Sequence, residues 1–221
     1  MPLCVGTSLA IIIPTSISSF SAHRTKGSVD MAILRAWIWP VVAGVLIGTA
    51  LARFAPMAVF KLAFILVSLV TVARLLFAEK LPRLGADLPT GGPMAGYGFT
   101  IGAISSLIGI GGGLVANMVM TLHGRAIHQS VATSAGIGVL VSLPGAVGYA
   151  VAGWDKVGLP PLSLGFVSLI GLMLLMPTSL ATARLGASLA HRISRRQLEL
   201  AFAAYLGVVS LRFLLNMAGS A

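Results

Sequence analysis

Long apolar runs, separated by short polar stretches, make up most of this chain. Three of them contain no Asp, Glu, Lys, Arg or His: residues 88–122, 129–154 and 157–183. A helix needs about 20 mostly apolar residues to cross a bilayer, whereas a barrel strand needs about 10 alternating ones. The pattern therefore predicts helices, and we place seven at about 4–22, 36–53, 58–78, 95–122, 131–153, 162–183 and 197–217.

Composition supports this prediction. Of the 221 residues, 57% are hydrophobic and only 9% are charged, against roughly 25% in soluble domains. The sequence thus predicts an all-α integral membrane protein that lies in the lipid bilayer, with almost no chain left over for a soluble domain.

The net charge of +10 does not indicate nucleic-acid binding, because most Lys and Arg lie between the apolar runs. Such charges orient membrane proteins, and no basic face is interleaved with aromatic residues on which bases could stack. If the loops alternate, one side collects Arg53, Lys61, Arg125, Arg184, Arg192, Arg195 and Arg196, and the other Arg24, Lys26, Arg35, Lys80, Arg83 and Lys156. The dense cluster at 192–196 favours the first side as cytoplasmic, which predicts an external C-terminus.

One short pattern occurs twice in the chain. Gly6-Thr7-Ser8 near the start is matched by Ala132-Thr133-Ser134, whose Thr lies 126 positions after Thr7. Further pairs follow in the same order: Val29-Asp30 with Trp154-Asp155, residues 49–52 with 178–181, and residues 74–76 with 212–214. This order predicts two related repeats, 1–87 with three helices and 88–221 with four, which form one membrane domain.

The fourth predicted helix contains an unusual glycine cluster. Gly109, Gly111, Gly112 and Gly113 are four glycines in five residues, and each removes roughly 1 kcal/mol of helix preference relative to alanine. We expect two half-helices, the second beginning near Leu114, whose free N–H groups point into a protein-lined cavity and attract an anion. Close helix packing is the competing explanation.

Hydroxyl side chains are the next candidates for the site. Thr7, Ser8, Thr133 and Ser134 could bind a ligand, although bonding to a helix carbonyl is about as common for such residues. We add Asn117, on the half-helix that follows the glycines. Pro14 and Pro144 lie one to two turns beyond the Thr-Ser pairs and are expected to kink their helices.

Two arginines, Arg74 and Arg212, occupy matching places in the last helix of each repeat. Snorkelling to the lipid headgroups is the favoured interpretation. A weaker alternative is that they attract the anion to its path.

The residues do not predict an enzyme. All five acids lie at helix ends or in loops, so no carboxylate pair is expected at membrane depth for catalysis or for a cation. His123 and His128 have no Cys or carboxylate beside them that would make a metal site. Cys4 alone excludes an internal disulfide. We expect no catalytic residue, no metal and no cofactor.

At this point the chain resembles a known family. Residues 6–10 with Pro14-Thr15-Ser16 and the loop to Asp30 are similar to the first-repeat pattern of the sulfite exporter TauE/SafE family, and residues 109–113 with 132–135 to the second. The resemblance implies paired four-helix repeats that move sulfur-containing or organic anions, such as sulfite, across the bacterial inner membrane. As a working hypothesis, the two repeats rock around the anion, which gives alternating access.

One departure from the family pattern affects this interpretation. In the family a glycine-rich helix precedes the Gly-Thr-Ser element in both repeats, but here only residues 1–5 precede Gly6. We therefore expect the first helix to be absent from this sequence, most simply through a misassigned start. A non-transporting membrane scaffold, an inactive remnant, and a carrier for cations or neutral metabolites are the alternatives. The sequence is compatible with a homo-oligomer as well as with a monomer.

Overall fold

The computed structural model of the protein describes residues 1–77, 85, 87–192 and 195–218. In this part of the chain the elements are α1 (Pro2–Thr25), α2 (Met31–Ala52), α3 (Met57–Phe77), α4 (Gly92–Ile108), α5 (Gly113–Leu122), α6 (Ile127–Ala152), β1 (Ser163–Leu164), β2 (Val167–Ser168), α7 (Leu169–Arg192) and α8 (Arg195–Ala218).

Five of these helices are long and apolar enough to cross a membrane: α1, α2 and α6 over their full lengths, α3 over Met57–Arg74 and α8 over Leu200–Met217. Large apolar side chains cover their outer faces, and Trp39 and Phe54 are 79% and 81% exposed. Such exposure is costly in water but favourable in lipid. The prediction of an all-α membrane protein is confirmed.

The chain divides into two compact units. The first comprises Met1–Phe54 and Arg83–Met176, and its centre is the antiparallel pair α1 and α6. Added Cβ atoms on Gly6 and Gly145 would come within 2.8 Å of Tyr149 Cβ and 2.9 Å of Leu9 Cδ1. These small residues therefore let the two backbones approach closely, as is common between membrane helices.

The second unit comprises Ala55–Pro82 and Pro177–Ala221, and within it α3 and α8 also pack antiparallel. Lys61 Nζ on the second turn of α3 donates a 2.6 Å hydrogen bond to Asn216 Oδ1 near the end of α8. The rings of Phe64 and Phe213 meet edge to face at 5.2 Å. Lys61 thus lies within a helix, as the predicted helix 58–78 has it, whereas Arg35, which was counted in a connection, lies in α2.

The predicted break in the glycine-rich helix is confirmed. α4 ends at Ile108, with Gly109 as its C-cap, and α5 begins at Gly113. Tyr97, near the start of α4, packs its ring 5.2 Å from that of His123, which directly follows α5. The chain therefore turns back at the glycines, and α4 with α5 forms a hairpin whose two ends lie together.

The predicted helix 162–183 begins later than expected. Residues 163–168 form a two-stranded antiparallel ribbon, and α7 starts at Leu169. Leu162 and Gly165 have φ angles of 57° and 53°, which a right-handed helix does not allow. Phe166 N–H then donates to Tyr149 O at 3.1 Å, which fixes the ribbon against the end of α6.

Candidate functional site

A cavity of about 350 Å³ opens beside the tip of the α4–α5 hairpin. Three segments of the first unit form its wall: the second half of α1, the hairpin tip and the first half of α6. Its lining residues are Ile12, Thr15, Ser16, Ser19, Ile110, Gly111, Gly113, Val131, Ser134, Ala135 and Gly138. The polar groups of the wall are hydroxyls and backbone atoms, without a charged side chain.

Positive φ angles give the hairpin tip its shape. Gly109, Gly111 and Gly112 have φ angles of 80°, 68° and 76°, a region that other residues rarely adopt. Space is limiting as well, because a Cβ on Gly111 would lie 2.8 Å from Ile12 Cγ2. The sequence places glycine where the backbone must turn sharply against α1.

The two helix ends at the tip differ in their hydrogen bonding. At the end of α4 the carbonyls have protein partners: Tyr149 Oη donates to Ser106 O at 3.0 Å, and Ser8 Oγ donates to Gly109 O at 2.8 Å. At the start of α5 the capping residue is Gly112, and no side chain caps the helix. The first N–H groups of a helix lack internal acceptors and carry a partial positive charge. Of the first residues of α5, Gly113 lines the cavity.

Ser134 is the one predicted hydroxyl that lines the cavity. It is 6% exposed, and its Oγ donates to Val131 O at 2.9 Å. Its oxygen lone pairs and a rotation of the hydroxyl remain open to a ligand. Ser8, in contrast, is engaged with the hairpin tip.

Thr7 and Thr133 form a reciprocal pair of contacts instead of lining the cavity. Thr7 Oγ1, on α1, accepts a 2.9 Å hydrogen bond from the N–H of Ser168 at the start of α7. Thr133 Oγ1, on α6, accepts one of the same length from the N–H of Asp30 at the start of α2. Each threonine thus binds the beginning of a helix from the other half of the sequence.

The remaining predicted residues lie away from the cavity wall. Asn117 has a buried Oδ1 without a partner in the described structure, but it is not among the lining residues. Pro14 and Pro144 lie inside α1 and α6, and the kinks expected there stay a prediction. Arg74 and Arg212 lie in α3 and α8 of the second unit, so their attraction of an anion stays a prediction.

Comparison with known proteins places these observations in a family. The family model of the sulfite exporter TauE/SafE matches residues 1–213. The chain belongs to the TauE/SafE family. Together with its five apolar helices, this membership makes it a multi-pass membrane transporter protein.

Two relatives of this TauE/SafE member are described as probable membrane transporter proteins. A probable membrane transporter protein from Haemophilus influenzae is 30% identical over 98% of this chain and 82% of its own length. Another from Methanocaldococcus jannaschii is 25% identical over 96% of this chain and 78% of its own. No solved structure matches the chain significantly.

Sequence reasoning missed three hydroxyls of this TauE/SafE cavity. Thr15, Ser16 and Ser19 line it from α1, and only the first two entered the sequence analysis, as part of the family pattern. Together with Ile12 they recur at intervals of three and four residues, the spacing of one helix face. On α6, Val131, Ser134, Ala135 and Gly138 share the same spacing, so periodicity could have indicated both walls.

Proposed function

We propose that this protein is a carrier of small anions, such as sulfite or an organic sulfonate, which bind at the start of α5. The uncapped helix N-terminus in a hydroxyl-lined cavity is the observation that carries this proposal. Helix N-termini bind anions through their free N–H groups and the helix dipole. Half-helices at membrane depth serve this purpose in other carriers.

The polar groups of the site favour an anion over a cation. A cation would need carboxylates or free carbonyls, yet no lining residue is acidic. The carbonyls of Ser106 and Gly109 already accept hydrogen bonds from Tyr149 and Ser8. The N–H groups of α5 and the hydroxyls of Ser16 and Ser134 are donors, which suit an oxyanion.

Cavity size and lining suit a small oxyanion with or without a short apolar part. A volume of about 350 Å³ is many times the roughly 10–15 Å³ that a cavity needs to hold one water. Ile12, Ile110 and Val131 add apolar surface to the same wall, against which an organic substituent could pack. Sulfite would fill only part of this space and would retain some of its water.

Alternating access follows from the arrangement if the helices that carry the reciprocal threonine contacts rock around the hairpin tip. The Thr7–Ser168 and Thr133–Asp30 contacts each join two helices of the first unit near their ends. Such end contacts can act as pivots while the middle of the bundle opens.

Counterflow of labelled sulfite into proteoliposomes tests the proposal, with sulfate, thiosulfate and sulfoacetate as competitors. We expect saturable uptake that the double variant Ser16→Ala/Ser134→Ala lowers about tenfold or more, because two ligand hydroxyls are lost. Ser18→Ala, an exposed hydroxyl outside the cavity wall on the same helix, is the matched control and should transport normally. Equal uptake by empty liposomes, or uptake that the double variant leaves unchanged, would contradict it.

A further inference from the structure

A charged network joins three separate parts of the first unit. Arg125 lies in the connection between α5 and α6, Asp87 precedes α4, and Asp30 precedes α2. Arg125 Nη2 lies 2.7 Å from Asp87 Oδ1, and Nη1 lies 3.7 Å from Asp30 Oδ2. The first distance is that of a charge-assisted hydrogen bond, while the second is a charge contact. One guanidinium therefore lies between two carboxylates.

Among the described contacts, Asp30 makes more hydrogen bonds than the other members of this Arg125 network. Its Oδ1 accepts from Ala32 N at 3.1 Å and Ile33 N at 3.2 Å, which caps the start of α2. Its Oδ2 accepts from Gln129 Nε2 at 3.3 Å, and its own N–H donates to Thr133. The start of α2 is thus fixed to the start of α6, next to Ser134 of the cavity wall.

Arg125 also connects the α4–α5 hairpin to the start of α2. It lies three residues after α5 ends, and Asp87 lies five residues before α4 begins, so their contact closes the base of the α4–α5 hairpin. The side chains of Asp30 and Arg125 are 15% and 32% exposed, and partial burial of this kind reduces the screening of their attraction by salt. Asp87, at 68% exposed, forms the more accessible end.

We propose that Arg125 is a positioning residue, which clamps both ends of the hairpin to the start of α2 and so fixes where the tip presents the N–H groups of α5. The consequence for anion binding rests on the proposed function, whereas the clamp itself does not. Between the clamp and the tip the backbone is helical over α4 and α5, with short non-helical segments at 88–91 and 123–124 next to the clamp. Loss of the clamp therefore moves the tip more than it alters any single contact in the cavity.

Reactivity of a thiol at the hairpin tip measures this clamp without any substrate. In the 221-residue chain with Cys4, its only cysteine, replaced by Ser, Ile110→Cys places a thiol at the tip, where Ile110 is partly buried in the cavity wall. Arg125→Gln should raise its rate of reaction with a small maleimide about tenfold, since a charge-assisted contact is lost. Arg125→Lys, which keeps the charge, should give an intermediate rate.

The other partners of the network supply independent variants. Asp87→Asn should raise the rate in the same way. Because Asp87 is mostly exposed, this variant can test the clamp even if Arg125→Gln does not fold. Arg24→Gln is the matched control, an exposed arginine in the last turn of α1 outside the network. A second reporter, Lys156→Cys in the turn after α6, should react equally in every background.

The outcomes separate this inference from the proposed function. Faster reaction at position 110 in Arg125→Gln and Asp87→Asn alone supports the clamp, even if no variant transports an anion, in which case only the proposed function fails. Unchanged rates at position 110 overturn the clamp, whether or not transport falls. Equal acceleration at positions 110 and 156 overturns it too, because the whole fold has then loosened.

Discussion

At the residue scale, the two threonines of the repeated motif have matching structural roles. Thr7 and Thr133 are 7% and 0% exposed, and each accepts the backbone N–H that begins another helix. A buried N–H without an acceptor is costly. The repetition in the sequence therefore corresponds to a repeated contact and not directly to a ligand contact.

Replacing either threonine by valine should destabilise the protein by about 1–3 kcal/mol, because the N–H of Ser168 or Asp30 loses its acceptor. Thr7→Ser and Thr133→Ser keep the oxygen and should lose less. Thermal unfolding in detergent measures the effect, with Ser18→Ala as an exposed control. Valine variants as stable as the serine variants would show that these contacts contribute nothing.

Glycines 111 and 113 differ in what they tolerate, although both line the cavity. Gly111→Ala adds a Cβ at a φ of 68°, 2.8 Å from Ile12 Cγ2, and should cost about 1–3 kcal/mol in strain. Gly113→Ala adds a Cβ whose nearest neighbour is Ser134 O at 3.7 Å, so it should leave stability unchanged or raise it slightly. Equal unfolding temperatures for the two variants would contradict the tip geometry.

The sequence predicted part of this site and not the rest. Clustered glycines are rare in a membrane helix, so Gly109 to Gly113 marked the break, and Gly111 and Gly113 do line the cavity. Single hydroxyls such as Ser16 and Ser19 are common in such helices, and only their neighbours in space distinguish them. Asp30 was matched to Asp155, yet the residue that begins the corresponding helix is Ser168, because a ribbon intervenes.

At the element scale, the hairpin is the feature that residue patterns could not determine. Residues 88–122 carry no charge, and such a run is compatible with one full crossing or with two half-helices that return. The 10 residues of α5 extend only about 15 Å at 1.5 Å per residue, half of a bilayer core. The ring contact between Tyr97 and His123 shows that the end of α5 returns to the start of α4.

Because the hairpin returns, the connections before α4 and after α5 should lie on the same side of the membrane. Single cysteines introduced at positions 90 and 126, in the Cys4→Ser background, should therefore react with an impermeant maleimide from the same side in oriented vesicles. Lys156→Cys, beyond the next spanning helix, should react from the opposite side. Labelling of positions 90 and 126 from opposite sides would show a full crossing instead.

At the scale of the whole molecule, we propose that the two repeats are inverted relative to each other. α1 and α6, which carry the repeated motif, pack antiparallel, and so do α3 and α8, which carry Arg74 and Arg212. Equivalent helices that run in opposite directions imply an axis in the membrane plane. Repeats with four full spans each would instead be parallel, and that arrangement would require the glycine-rich element to cross the membrane completely.

The returning hairpin also changes the charge count of the loops. Within the first unit, Arg125 now shares a side with Arg24, Lys26 and Arg35. Arg53 and Lys156 of the same unit lie on the opposite side. The first side should be cytoplasmic under the positive-inside rule. A reporter fused after Ala221 should then score as external, and one inserted at position 124 as cytoplasmic; the reverse pattern would contradict this topology.

Binding of sulfite to the purified protein, measured by calorimetry on Gly113→Asp, tests the central claim most directly. A carboxylate at the first position of α5 suits the helix dipole and should preserve the fold, but it places a negative charge where the anion binds. We predict saturable binding by the unmodified chain, a loss of at least about a hundredfold in Gly113→Asp, and little change in the neutral Gly113→Asn. Sulfite affinity that is equal in all three proteins would contradict an anion site at the start of α5.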